Sequence, residues 1–494
     1  MSRHAGGLLA AFLIFGVLAT ANTGGYRFGV SDQAYYAVAA LATANPALFP
    51  KDRSLIDVQS RFTLSDDVFG WLVKTLPVDL PALYFATYVL TLAVLFAAAI
   101  VFARRLGLSW WAVAAMLLLL TLRHRIVKTG VNSLEGYTHM RMLAFAFGIA
   151  ALTGLIRARY LWIAFWLVMS AVAHTTTALW FGLALAAGAA MTRPAWRRAA
   201  LFALLPTGAL AVWALAGGPL AGRLTMMDAA WLDVVLSRDY LFPSGWPAYA
   251  WILNLGYPVV ILLIYRARRA QGVATDGERA LVAGMLALLA VFLLSVPLSA
   301  LHVALAVQLQ VNRVFWLMDF AALVYFAWWL IDGPPARGRR RWRVTALTLI
   351  AAFSIGRGVY VLAIETERRL VQISLTPGAW TDAMTWLKQQ PAGWHVLADP
   401  AHAWKYGVNV RIAGEKDVLL DVTKDPAIAT YDRAVAMRVS ERLAALADFD
   451  RFTTAEIRAL ASRYHLDVFV ADSARSFDFP VLYRNAGIAV YDLR

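Results

Sequence analysis

The residues able to do chemistry sit in a few short polar stretches of an otherwise apolar chain. GVSDQAYYAV, residues 29–38, sets Asp32 beside Tyr35 and Tyr36 just after the first apolar run, and the segment that follows adds Asp52, Asp57, Asp66 and Asp67. A carboxylate in a partly dry site can take a proton as a general base or hold a divalent cation. Asp66 follows Ser65 at the start of a helix-like piece, so helix capping is its simpler role. Asp52, after the break NPALFPKD, keeps a chemical role open. The tyrosine pair reads as an aromatic anchor at a membrane interface.

A second stretch, TLRHRIVKTGVNSLEGYTHMRM, carries Arg123, His124, Arg125, Lys128, Glu135, His139 and Arg141. Guanidinium groups grip phosphate through forked hydrogen bonds, and attraction to anionic lipid headgroups is the plainer alternative. Gln308, Gln310, Asn312 and Arg313 in AVQLQVNRVFWLMDF form a third polar group, and His174 with Thr175, Thr176 and Thr177 a fourth. No metal-ligand spacing accompanies His174, which reads first as a hydrogen-bonded structural histidine. Asp319 and Arg357 fall inside apolar runs, where ionisable groups are costly and usually paired; each is the other's expected partner. Walker, dinucleotide-fingerprint, His-Glu-x-x-His and nucleophile-elbow patterns are absent. With no cysteine there is no thiol nucleophile and no Cys-ligated metal.

The elements that must position these residues are of membrane length. The chain has 494 residues, 60% hydrophobic and 16% charged, with a mean hydropathy of +0.59; that is too apolar for a soluble core with a solvated shell. Apolar segments at 6–22, 80–103, 108–122, 140–156, 160–173, 177–191, 199–216, 246–265, 280–298, 314–331 and 344–363 predict about eleven transmembrane helices. With the N-terminus in the cytoplasm, alternate connections hold Arg104 and Arg105; Arg157 and Arg159; Arg193, Arg197 and Arg198; Arg266, Arg268, Arg269 and Arg279; then Arg337, Arg339, Arg340, Arg341 and Arg343. The positive-inside rule thus absorbs much of the net charge of +15, with no nucleic acid as partner. As one helix, 160–191 would reach about 48 Å, well beyond a bilayer core, so a hairpin turning at His174 is expected. The first 25 residues also fit a cleavable signal peptide.

Two domains follow. Residues 1–363 form a transmembrane domain that includes a first outer loop, 23–79; residues 364–494 form an extracytoplasmic α/β domain. In the latter, WTDAMTWLKQQP, Arg433 to Ala447 and Thr454 to Tyr464 read as helices; WHVLADP, DVLLDV, LDVFVADS and IAVYDLR read as strands.

An early aspartate in a long first outer loop, basic residues at later outer turns and an external α/β tail resemble the GT-C superfamily. These membrane glycosyltransferases use polyprenyl-phosphate-linked sugars. The likeness covers most of the chain as architecture and is nearest to bacterial GT-C-like proteins, in which AHTTTALWF would be at home. It implies an inverting enzyme of the bacterial cytoplasmic membrane, which moves a sugar from a polyprenyl-phosphate donor to a lipid, glycan or other acceptor on the outer face. Asp32 matches the loop acid that serves as base or metal-linked carboxylate, and Asp52 the assisting acid. Arg141, Arg313 and Arg125 would hold the donor phosphate, with His139, His174 and Gln310 in the cavity and membrane lipids around it. A divalent cation, Mg²⁺ or Mn²⁺, stays open as a cofactor. The tail carries AWKYG where oligosaccharyltransferase-like relatives have WWDYG, which sets it apart from peptide glycosylation. The competing readings are a transporter or lipid flippase, and a non-catalytic scaffold of cell-envelope polysaccharide assembly.

Overall fold

The computed structural model describes residues 3–60, 63–192, 194–334 and 338–494; the expected cytoplasmic Arg193 and Arg337 lie outside them. Among the described residues, eight helices are long and apolar enough to cross a membrane, and two further apolar helices, Trp110–Leu120 and Tyr160–Ala173, are shorter. Helix also occupies the seventh expected segment, at Pro194–Ala216. The eight fall short of the eleven expected largely because of length. The short pair have 11 and 14 residues, which rise only about 17 and 21 Å as helix. The break foreseen at His174 is present: one helix ends at Ala173 and the next runs Thr175–Thr192.

The chain divides into two compact units. The first contains Met1–Tyr26, Thr87–Met227 and Arg238–Val371; the second contains Arg27–Ala86, Asp228–Ser237 and Gln372–Arg494. Most of the expected first outer loop therefore groups with the tail and not with the membrane helices, as the domain boundary at 363 had it.

In the first unit, helix Met140–Arg157 is buried on nearly every side. Small residues let its neighbours approach closely. A Cβ on Gly188 would meet the Ala280 carbonyl oxygen at 2.2 Å, and one on Gly284 would meet that of Ala184 at 2.3 Å. Helices Thr175–Thr192 and Asp276–Ala300 thus touch through backbone at both levels, the packing that apolar surroundings favour when hydrophobic burial cannot drive association. At the far end of this helix pair, Arg268 reaches both oxygens of Glu278, at 2.7 and 3.0 Å, and the Leu106 carbonyl at 2.6 Å. Its guanidinium also covers the Trp328 ring.

Asp319 and Arg357 are not partners. Asp319 pairs with His124 at 3.0 Å, and Arg357 donates to the Asn22 backbone and side chain and to the Arg123 carbonyl. Sequence spacing alone could not supply these partners, which come from loops and from the first helix.

The second unit is built on a five-stranded sheet in the order Asp417–Val418, His395–Ala398, Val468–Asp472, Ile488–Asp492, Val481–Arg484. The first three strands run parallel and the last two join antiparallel. Helices Ala379–Lys388, Arg433–Ala445 and Thr454–Tyr464 stand where the apolar periodicity predicts them. The unforeseen strand, Val481–Arg484, is the sheet edge. It follows Pro480 and is only half covered, so it lacks the apolar run of its neighbours.

The loop residues complete this unit. Helices Gln33–Ala44, Arg53–Ser60 and Ser65–Thr75 form there. Gly29 adopts φ +82°, and a Cβ would strike the Leu375 side chain at 2.9 Å; both the left-handed backbone and the contact require glycine. Tyr35 and Tyr36 are buried, so they are core residues of this unit and not interfacial anchors.

Asp66 is not the capping residue either, since that position falls on Leu64. Its buried carboxyl accepts from Ser65 Oγ at 3.3 Å, and burial pushes it from 3.8 up to about 8. The unfolded chain then loses this proton first as pH rises, so Asp66 costs stability progressively from about pH 4 to about pH 8, on the order of a few kcal/mol in full. An Asp66→Asn variant should melt higher than the parent at about pH 8 and together with it at about pH 4, measured by thermal unfolding in nanodiscs. An equal gap at both pH values would contradict the assignment.

Candidate functional site

The first unit holds a pocket where three helices begin. Arg141 is the second residue of Met140–Arg157. His174 precedes Thr175–Thr192, whose first turn supplies Thr176 and Thr177. Arg313 precedes Val314–Ile331, whose first turn supplies Trp316 and Leu317. All of these line one cavity, with Phe145, Trp180 and Phe181 as its apolar walls. Phe145 and Trp316 stack at 3.9 Å. A helix start leaves backbone N–H groups unmatched and carries the positive end of the helix dipole. Two guanidinium groups, one of them paired with Glu135, and the adjoining helix starts bring positive charge to the cavity, which suits an anion.

The local hydrogen bonds explain why each side chain is held. His139 caps its helix, its Nδ1 accepting from the Arg141 amide at 3.2 Å. His174 Nδ1 accepts from the Thr177 amide at 3.3 Å and pairs with Thr177 Oγ1 at 3.0 Å. The structural histidine expected from sequence is therefore correct, and the same residue also faces the cavity. Glu135 holds Arg141 at 2.8 Å, both buried, and neutralises one of the two cations. The cavity has room for little more than one water-sized body. A phosphate would enter only as these side chains part.

Of the residues singled out by sequence, Arg141, Arg313 and His174 are thus brought together, with the His139 ring 6.4 Å from that of His174. Gln310 is buried in the turn before Arg313, in left-handed conformation, and its carbonyl accepts the Arg313 amide at 3.0 Å. Arg125 is exposed on a short hairpin with Val131–Asn132 and does not line the cavity. Glu135 was visible in the sequence, but its pairing was not. The signal that could have found the whole group is positional: three apolar runs each open on a basic or polar residue.

Asp32 and Asp52 belong to the second unit, in very different settings. Asp52 is fully buried. Its carboxylate accepts Arg411 Nε at 2.7 Å and the Val418 amide at 3.1 Å and is also gripped by Arg438. Arg411 forks onto Asp425 at 2.7 and 3.0 Å. Burial would raise the Asp52 carboxyl, but Arg411 and Arg438 overcome this and hold it far below the usual carboxylate range. Beside it, burial and then the Asp52 charge push Asp417 up to about 6, although Asp417 accepts the Lys51 and Asp52 amides. This is the geometry of a structural hub, with every oxygen of Asp52 engaged.

Asp32 is about a third exposed, and its Oδ1 accepts Lys424 Nζ at 2.7 Å. For a divalent cation at this carboxylate the donor set does not fit. It is paired with an ammonium, and among the described residues no three His, Asp or Glu side chains gather as a cation would need.

No protein-family model matches the chain, and no curated protein matches it. Among solved structures it is similar to the crystal structure of the Archaeoglobus fulgidus oligosaccharyltransferase in the apo form, at 11% identity and a TM-score of 0.43, over 94% of this chain and 69% of that one. The class its own fold defines is a polytopic helical membrane protein with a second, α/β-containing unit.

Proposed function

We propose that the protein is a membrane glycosyltransferase that takes a sugar from a polyprenyl-phosphate donor and passes it to a hydroxyl acceptor outside the cytoplasm. The observation that carries this reading is the cavity of Arg141, Arg313 and His174 at three converging helix starts. It suits the phosphate of a lipid whose chain lies among apolar helices. In the proposed reaction the acceptor oxygen attacks the anomeric carbon with inversion and Asp32 takes its proton. The bond to phosphate breaks, and the charge left on the polyprenyl phosphate is held by Arg141 and Arg313. Asp32 is preferred to Asp52 as the base because half-open carboxylates can exchange protons, whereas Asp52 is sealed between two arginines.

The transport alternative calls for functional charges within the spans. Asp319 and Arg357 are instead tied to His124 and to Asn22 and Arg123. The test of the donor site is lipid affinity. Full-length protein in nanodiscs should bind a polyprenyl phosphate, and Arg141→Gln with Arg313→Gln should weaken that binding by roughly 100-fold while leaving binding of a neutral polyprenol unchanged. Equal affinity of parent and double variant for the phosphate would remove the donor-site assignment.

A further inference from the structure

Resting on that reading of Asp32, we infer that the Lys424 ammonium takes the position a divalent cation would otherwise fill at the Asp32 carboxylate, so that Lys424 is its positioning residue and no metal binds there.

Two independent features of the second unit lead to this. The first is where the carboxylate points. Asp32 stands at the N-cap of helix Gln33–Ala44, where an aspartate ordinarily accepts its own helix's amides, yet its side chain makes no cap hydrogen bond. It reaches instead to Lys424 Nζ at 2.7 Å. Ser31 before it adopts φ +53°, and Gln33 Oε1 accepts the Gly29 amide at 2.7 Å, which fixes the turn from which Asp32 projects.

The second is how firmly the ammonium is delivered. The backbone from Asp421 to Asp425 is pinned on both sides of Lys424. The Lys424 amide donates to the Asp421 carbonyl at 3.2 Å, and the Asp421 amide to Asp425 Oδ2 at 3.0 Å. Asp425 in turn is clamped by the buried Arg411. The Lys424 side chain is only 12% exposed, so the cation is held in place and is not a solvated surface lysine. A charge-assisted bond of this length fixes the direction of the carboxylate, as a bound cation would. One carboxylate already engaged by an ammonium offers a divalent ion neither the charge nor the ligand number it needs.

The experiment follows Mn²⁺ by electron paramagnetic resonance in nanodiscs holding the full chain, alongside sugar transfer with and without EDTA. Parent protein is expected to show no Mn²⁺ site that disappears in Asp32→Asn, up to about 1 mM Mn²⁺, and to transfer equally in EDTA. Lys424→Met should lower transfer roughly tenfold or more, with Lys424→Arg restoring it to within about threefold. An Asp32-dependent Mn²⁺ site in the parent, a loss in EDTA restored by Mn²⁺, or full transfer by Lys424→Met would overturn the inference and leave the transferase reading standing. Should Lys424→Met fail to fold, the Mn²⁺ and EDTA arms on the parent decide it alone. Absence of transfer from every polyprenyl donor, with no Mn²⁺ site, would instead remove the transferase reading and keep the ammonium as the occupant of this carboxylate.

Discussion

An Asp32→Asn variant should insert and fold like the parent but transfer sugar on the order of 10²- to 10⁴-fold more slowly, the usual contribution of a general base. The amide has the size of the carboxylate, and its oxygen can still accept the Lys424 ammonium, so the turn at Gly29 to Gln33 and the packing of Tyr35 and Tyr36 are kept. What is lost is the capacity to take a proton. The measurement is the rate of transfer from a polyprenyl-phosphate sugar at saturating donor, with thermal unfolding recorded on the same preparation. Transfer at the parent rate would show that Asp32 is not the base.

The largest effect on stability is expected at Arg411. Its guanidinium is the common partner of Asp52 and Asp425, and all three are essentially inaccessible to water. Arg411→Met would leave two carboxylates buried around an uncharged side chain, and breaking a buried pair in this way costs about 3–5 kcal/mol. Arg438 would still reach Asp52, but among the described residues Asp425 would keep only the Asp421 amide. The second unit should therefore become protease-sensitive at temperatures where the parent resists. Adding Asp52→Asn and Asp425→Asn to Arg411→Met should recover part of the loss, because the uncompensated charges are gone. A single variant as protease-resistant as the parent would mean that the hub contributes little.

The contrast between Asp32 and Asp52 shows what the sequence could and could not disclose. Both are aspartates of one polar segment near proline or glycine breaks, and by type and local spacing both qualify for acid–base work. What separates them is Arg411, 359 residues further along the chain from Asp52, and Lys424, 392 residues along from Asp32. Nothing local announces either pairing. The tyrosines mislead too: next to an apolar run they look like interfacial anchors, but their helix packs on Ser65–Thr75 and on Val410–Ala413, and both side chains are buried.

Local signals fared better where the physics is local. The apolar run 160–191 was too long for one span, and a polar His-Thr-Thr-Thr within it marked the break that His174 makes. Helix Thr454–Tyr464 begins after Thr453 with Glu456 three residues on, a complete capping box. The buried strands Val468–Asp472 and Ile488–Asp492 were legible as β-branched apolar runs, while the half-exposed edge strand was not. Arg141, Arg313 and His174 could be named singly from helix starts; that they share one cavity depends on how three helices pack, which no local pattern encodes.

A cryo-EM map of the full chain in nanodiscs with a polyprenyl phosphate tests directly whether the Arg141 and Arg313 cavity holds the donor. Phosphate density should lie within hydrogen-bonding distance of the Arg141 and Arg313 guanidinium groups, with the cavity walls at Thr176 and Trp316 parted to admit it and the lipid chain running among the helices. Lipid phosphate ordered elsewhere on the protein, with this cavity closed, would contradict it.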